Sequence, residues 1–238
     1  MQLSQLSKTL LEKINNRSII TQSDYPERII LDSKINKSIK VLSNYTDPRN
    51  SKKEGPSGWE YEQSVFYFDG ELFLSEIVAG NYESVKPSHS FKANPEYSKD
   101  KTKYFYNIFI DKKKYKSNMY NSSNGQENKL VYGFILSFHT HPKNNIKNKS
   151  IYSFFSLADI KSLLYGRSPI LGLIWGNCSW LVCKTSSSTI PSQELLNKIS
   201  RAEYDLGIEG VINAIKQELS TYDLVFYQAS LGNIFKRI

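Results

Sequence analysis

The chain of 238 residues contains three histidines, and two of them stand one residue apart in "FILSFHTHPK". Alternate residues of an extended strand project to the same side, so His139 and His141 can both present an imidazole to one metal ion. Pro142 then ends the strand, because it has no N–H to offer a ladder. The third ligand should be a carboxylate or another imidazole from a neighbouring element, and Asp159 is the only acid between His141 and Glu194. Two imidazoles and a carboxylate so placed could hold one metal ion. An H-x-H pair taken alone also fits two hydrogen-bonded imidazoles at a strand end. Likewise Ser156-Leu157-Ala158-Asp159, before an apolar run, is the pattern of a helix capping box.

These residues need elements to hold them. The strand "LVYGFILSF" leads into His139, and "SLADIKSLLYG" reads as a helix with Ile160, Leu163 and Leu164 on one face and Gly166 as a left-handed C-cap. Upstream, "EQSVFYFDGELFLSEIVAG" reads as a hairpin around Asp69-Gly70. A further strand is expected at "KYFYNIFID", followed by a polar insertion at 111–129. "PILGLIWG" and "SWLVCKT" read as a buried strand pair, followed by a helical region from about residue 192 to residue 219 and terminal strands "LVFYQA" and "NIFKRI". At the N-terminus Leu3, Leu6, Leu10, Leu11 and Ile14 recur at helical spacing, whereas "RIILD" and "IKVLSNY" read as short strands. The polar loop "TDPRNSKKEGPSG" divides the chain into an N-terminal helix-containing extension, 1–55, and a main domain, 56–238.

In this order, His139-Thr140-His141-Pro142 and Ser156-Leu157-Ala158-Asp159 resemble the H-[ST]-H-P…S-x-x-D signature of the JAMM (MPN+/JAB) zinc metallopeptidases, in a bacterial-type member. The resemblance spans about Trp59 to Thr185, with the stretch between Pro142 and Ser156 as an insertion. It implies an α/β fold with a mixed curved β-sheet flanked by helices, the JAMM/MPN, deaminase-like layered architecture. It implies a Zn2+ ion held by His139, His141 and Asp159. It implies two catalytic residues: Glu62 as the base that takes a proton from water, and Ser156 as donor to the oxyanion. Glu60 competes with Glu62 for the base, with Glu71 and Glu76 further behind. The activity implied is hydrolysis of a peptide or isopeptide bond in a protein or peptide substrate, including removal of a ubiquitin-like modifier. The alternative is a non-catalytic MPN-like protein-interaction scaffold, against which the retained ligand set weighs. A zinc nucleoside deaminase would need H-x-E and P-C-x-x-C, and neither occurs.

Composition narrows the partners. A formal charge of +8 could draw nucleic acid, yet the lysines are scattered among Asn, Ser and Tyr, which is the pattern of solvated loops. The insertions at 111–129 and 143–154 adjoin the histidine strand, where loops set specificity for a polar protein surface. His89, in a polar loop, reads as solvated. No apolar run has the length of a membrane helix or a signal peptide. Cys178 and Cys183 have opposite strand parity, which argues against a disulfide between them and for a reducing, cytoplasmic setting.

Overall fold

The computed structural model describes residues 1–46, 59–68, 70–75, 77–80, 85, 132–141, 154–166, 168–230, 232 and 234–238. The expected strand "KYFYNIFID", the insertion 111–129, nearly all of 143–154, and Asp69, Glu76, His89 and Pro142 lie outside the described residues.

Helix α1 (Leu3–Asn15), strand β1 (Arg28–Ile30) and helix α2 (Ser33–Tyr45) open the chain. The hairpin strands β2 (Tyr61–Phe68) and β3 (Glu71–Leu74) follow, then β4 (Val78–Ala79) and β5 (Tyr132–Thr140). Helix α3 (Leu157–Tyr165) leads to β6 (Ile170–Trp175) and β7 (Cys178–Lys184), and α4 (Gln193–Glu218), broken at Gly207, leads to β8 (Leu224–Ser230) and β9 (Ile234–Arg237). The strands form one curled mixed sheet in the order β1-β9-β8-β7-β6-β5-β2-β3, with β4 also paired to β2. Only β5 and β6 run parallel among the described pairs.

Helices cover both faces. On one, Leu3, Leu6 and Leu10 of α1 and Ile35, Ile39 and Leu42 of α2 join Leu136, Ile170, Ile174, Leu181 and Tyr227. On the other, Ile160 and Leu163 of α3 and Leu196, Ile199, Val211 and Ile215 of α4 join Leu171, Leu173, Trp180, Val182 and Phe226. Strands covered on both sides lose the polar half of their alternation, and every residue of β2 is buried. Cys183 faces the first cluster and Cys178 the second, so no disulfide joins them and the sheet separates the two thiols.

Two local expectations are corrected. "IKVLSNY" belongs to α2 rather than to a strand, because Ile35, Ile39 and Leu42 bury one helical stripe that outweighs its β-prone residues. Gly166 is extended (φ −77°, ψ 173°) rather than left-handed. Its glycine is required by crowding instead, since a Cβ there would stand 2.3 Å from the carbonyl oxygen of Ser162. The hairpin turn does use positive φ, at Gly70 (84°).

Parallel neighbours need a crossover, and α3 supplies it between β5 and β6. Its N-terminus therefore lies where the chain leaves the C-terminal end of β5, the end that carries the histidines. Phe154 and Phe155, both wholly buried, fasten that end to the sheet: Phe154 stacks edge-on to Trp180 at 5.6 Å and lies 5.8 Å from Phe226, while Phe155 lies 6.3 Å from His139. At the other end Lys184 Nζ donates to the carbonyls of Leu163 (2.8 Å) and Gly166 (2.6 Å). Among the described residues no helix is long and apolar enough to cross a membrane.

Removing the Phe154 ring should destabilise the fold by about 3–5 kcal/mol, the range for emptying a large aromatic site. Exposed Tyr165 provides the control, and Tyr165→Ala should stay within about 0.5 kcal/mol of wild type. Urea unfolding of Phe154→Ala and Tyr165→Ala checks both.

Candidate metal centre

Strand pairing brings the site together. Glu62 of β2 sits opposite His139 of β5, and Ser64 opposite Ser137. These residues share the face of Leu171 and Leu173, their partners across β6 being aligned with Ser137 and His139. His141 lies just past β5, held in line by its N–H to Ile174 O at 3.2 Å. Thr140 points the other way and is wholly buried; its Oγ1 accepts the Tyr61 N–H at 2.9 Å and ties the end of β5 to the start of β2.

Asp159 reaches this face from the first turn of α3. His139 Nε2 lies 3.2 Å from His141 Nε2 and 3.3 Å from Asp159 Oδ1, and His141 Nε2 lies 3.5 Å from Asp159 Oδ2. A tetrahedral ion with bonds of about 2.0–2.1 Å places its ligand atoms about 3.4 Å apart, close to the 3.2 Å between the two imidazole nitrogens, and with one ligand atom taken from each residue the three lie within 4.8 Å of one another. The donor set of two imidazoles and a carboxylate fits zinc or another divalent transition metal. Among the described residues this is the one group of three His, Cys, Asp or Glu side chains arranged to hold an ion.

The capping box and the ligand set share Asp159. Ser156 is the N-cap of α3; its hydroxyl donates to Asp159 Oδ2 at 2.8 Å and accepts the Asp159 N–H at 3.2 Å, while its own N–H donates to Oδ2 at 2.7 Å. The cap thus fixes the Asp159 carboxylate while Oδ1 points to His139, and the positive end of the helix favours its negative charge.

Electrostatics follow from burial and proximity. Burial pushes the Asp159 carboxyl up, but the charge and hydrogen bonds of His139 and His141 outweigh it and hold the group well below the usual carboxylate range. Burial pushes His139 down, but Asp159, Glu60 and Glu62 reverse this and leave it above its ordinary value. Glu60, half-buried and two residues before Glu62 on the same face, is raised by burial; His141 and His139 pull it down and Asp159 adds to the rise. Glu62 is 1% exposed, and its Oε1 accepts the hydroxyls of Ser64 and Ser137, each at 2.6 Å. Of the sequence-derived residues, His139, His141 and Asp159 are in mutual contact, Ser156 holds Asp159, and Glu62 and Glu60 flank them.

Sequence reasoning passed over Ser64, Ser137, Phe154 and Phe155. Period two alone puts Ser64 beside Glu62 and Ser137 beside His139, so that signal was present. The aromatic pair carried only its position, immediately before the helix cap. No family model, curated protein or solved structure matches the chain.

His139 titrates above its ordinary value of 6.5, so its contribution to stability is complete below pH 6.5 and is lost as pH rises through the folded value. Asp159 titrates below 3.8, so its contribution is present above pH 3.8 and is lost as pH falls through the folded value. Chelator-treated protein should therefore gain most from this pair between pH 3.8 and 6.5, a gain that Asp159→Asn abolishes in thermal melts across that window. Metal competes with the proton on His139, so zinc affinity should climb from about pH 6 to about pH 8 with proton release, measured by calorimetry in two buffers of different ionisation heat.

Proposed function

We propose that this chain is a zinc-dependent metallopeptidase of JAMM type, hydrolysing a peptide or isopeptide bond. The observation that carries this reading is the His139–His141–Asp159 cluster, whose ligand atoms lie within 4.8 Å of one another, with Glu62 directly opposite His139. Zinc, when bound, supplies a Lewis acid and brings the pKa of water towards neutrality.

The chain's own groups then have separate tasks. Glu62 accepts a proton from the attacking water and passes it to the departing amine. Its burial keeps bulk water from competing for that proton, and the two serine hydroxyls on Oε1 hold the carboxylate in place. Ser156 turns its hydroxyl to the developing oxyanion; this gives up one bond to Asp159 Oδ2, which the Ser156 N–H continues to hold at 2.7 Å. Glu60, less enclosed and interacting electrostatically with His141 and His139, completes the acidic surround that attracts a cation.

The substrate class we assign is a protein or peptide, with conjugates of a ubiquitin-like modifier foremost. A cytoplasmic setting belongs to the same proposal, supported by two buried cysteines that no disulfide joins.

Purified protein should carry about one zinc per chain, read by plasma mass spectrometry. Glu62→Gln should keep that zinc and lose about 10²–10⁴-fold in kcat on a peptide or lysine-isopeptide probe, while Glu60→Gln loses far less. The reverse ranking would move the base to Glu60, and protein without zinc or cleavage would leave the non-catalytic scaffold as the reading.

A further inference from the structure

Four side chains form a small rectangle on the site face of the sheet. Glu62 and Ser64 are two apart on β2, Ser137 and His139 are two apart on β5, and the register sets Glu62 against His139 and Ser64 against Ser137. Side chains so arranged have Cβ atoms about 5 Å apart across the strands, within reach of a short hydroxyl and a longer carboxylate. Both hydroxyls reach the same atom, Glu62 Oε1, at 2.6 Å. That distance is the one expected of an O–H donor on an ionised oxygen. A serine hydroxyl has a single proton, so both serines give theirs to this carboxylate.

Nothing about the sheet requires serine at these places. Leu171 and Leu173, on the same face one strand away, are apolar, as are Trp180, Val182 and Phe226 further along the sheet. The chain also fixes Ser64 from behind. Its N–H donates to Ser75 Oγ and its carbonyl accepts the Ser75 N–H, both at 2.9 Å, and Ser75 O in turn accepts Gln63 Nε2 at 2.8 Å. Ser38 of α2 bonds Gln63 Oε1 in turn. A run of polar contacts therefore leads from α2 through β2 to the Glu62 carboxylate.

We propose that Ser64 and Ser137 are positioning residues for Glu62: by holding Oε1 they fix the rotation of the carboxylate and so decide where its other oxygen meets the water. This rests on the hydrolytic reading above. A base has to be aimed as well as ionised, and an error of about 1 Å in its placement costs about a hundredfold in rate. Two donors on one oxygen define the carboxylate plane, whereas one would leave it free to swing about that contact.

Threonine and valine have the same shape and differ by the hydroxyl, so Ser137→Thr and Ser137→Val separate the proposed role from packing. With zinc-loaded protein and a lysine-isopeptide peptide as probe, Ser137→Thr should stay within about threefold of wild type, while Ser137→Val should lose about 10–100-fold in kcat with KM within about twofold and zinc unchanged. In the Glu62→Gln background the same valine should add no further loss, because a group that acts through another has nothing left to act on. Equal behaviour of Thr and Val, or an additive loss, overturns the proposal. A crystal structure of the Ser64→Ala/Ser137→Ala variant gives a reading free of activity: the Glu62 carboxylate should leave its place while His139, His141 and Asp159 keep theirs, and an unmoved carboxylate overturns the assignment. Zinc-loaded wild type that cleaves neither peptide nor isopeptide probes would instead defeat the hydrolytic reading, with the crystallographic result still deciding whether the serines position Glu62.

Discussion

A carboxylate from the first turn of a helix meets two imidazoles at the end of a strand, and the rest of the fold is arranged so that this meeting can occur. Asp159 is far from His139 in sequence, and only the parallel crossover from β5 to β6 returns the chain to that end of the sheet. Helix α3 is short, so its placement cannot rest on its own propensity. It is set by contacts at both ends: the Ser156 cap and the buried Phe154-Phe155 pair at the site, and Lys184 on the carbonyls of Leu163 and Gly166 at the far end. Burial lowers the pKa of Lys184, yet two carbonyl acceptors receive its ammonium there.

The balance of charge at the site favours a cation. Asp159, Glu62 and Glu60 surround two imidazoles, and the residues beneath them are leucines and aromatics. In such surroundings charges interact more strongly than in water and an unpaired charge is costly. The protein meets this with hydrogen bonds of fixed direction: N–H and O–H groups of Ser156 on Asp159, and two hydroxyls on Glu62. A divalent ion bound by the imidazoles and Asp159 would offset the remaining negative charge.

The face opposite the site has a different task. Helices α1 and α2 bury leucine and isoleucine stripes against β5, β6 and β8, and Thr140 locks the end of β5 from that side. At the far side of the sheet Asp223, in the left-handed region, accepts hydrogen bonds from Gln22, Thr185 and Ser187, which joins the start of β8 to the end of β7 and to the N-terminal segment. Together these contacts make β5 an interior strand with little freedom to shift register, and a shift of one residue would turn both histidines away from Asp159.

The sequence by itself determined whatever depends on neighbours along the chain. The two-residue spacing of His139 and His141, the S-x-x-D cap, the stripe of α1 and the opposite parity of the cysteines all follow from backbone geometry that any strand or helix obeys. Tertiary structure decided what depends on burial by remote segments. "IKVLSNY" became helix because a sheet lay ready to cover Ile39 and Leu42, and Gly166 is glycine because Ser162 O crowds it rather than because a left-handed cap needs it. Ser64 and Ser137 look like ordinary strand residues until the β2–β5 register brings both to Glu62. Side-chain period is a property of a few consecutive residues, whereas strand partners and the face left for a site are chosen by contacts spread over the whole core, which no local spacing encodes.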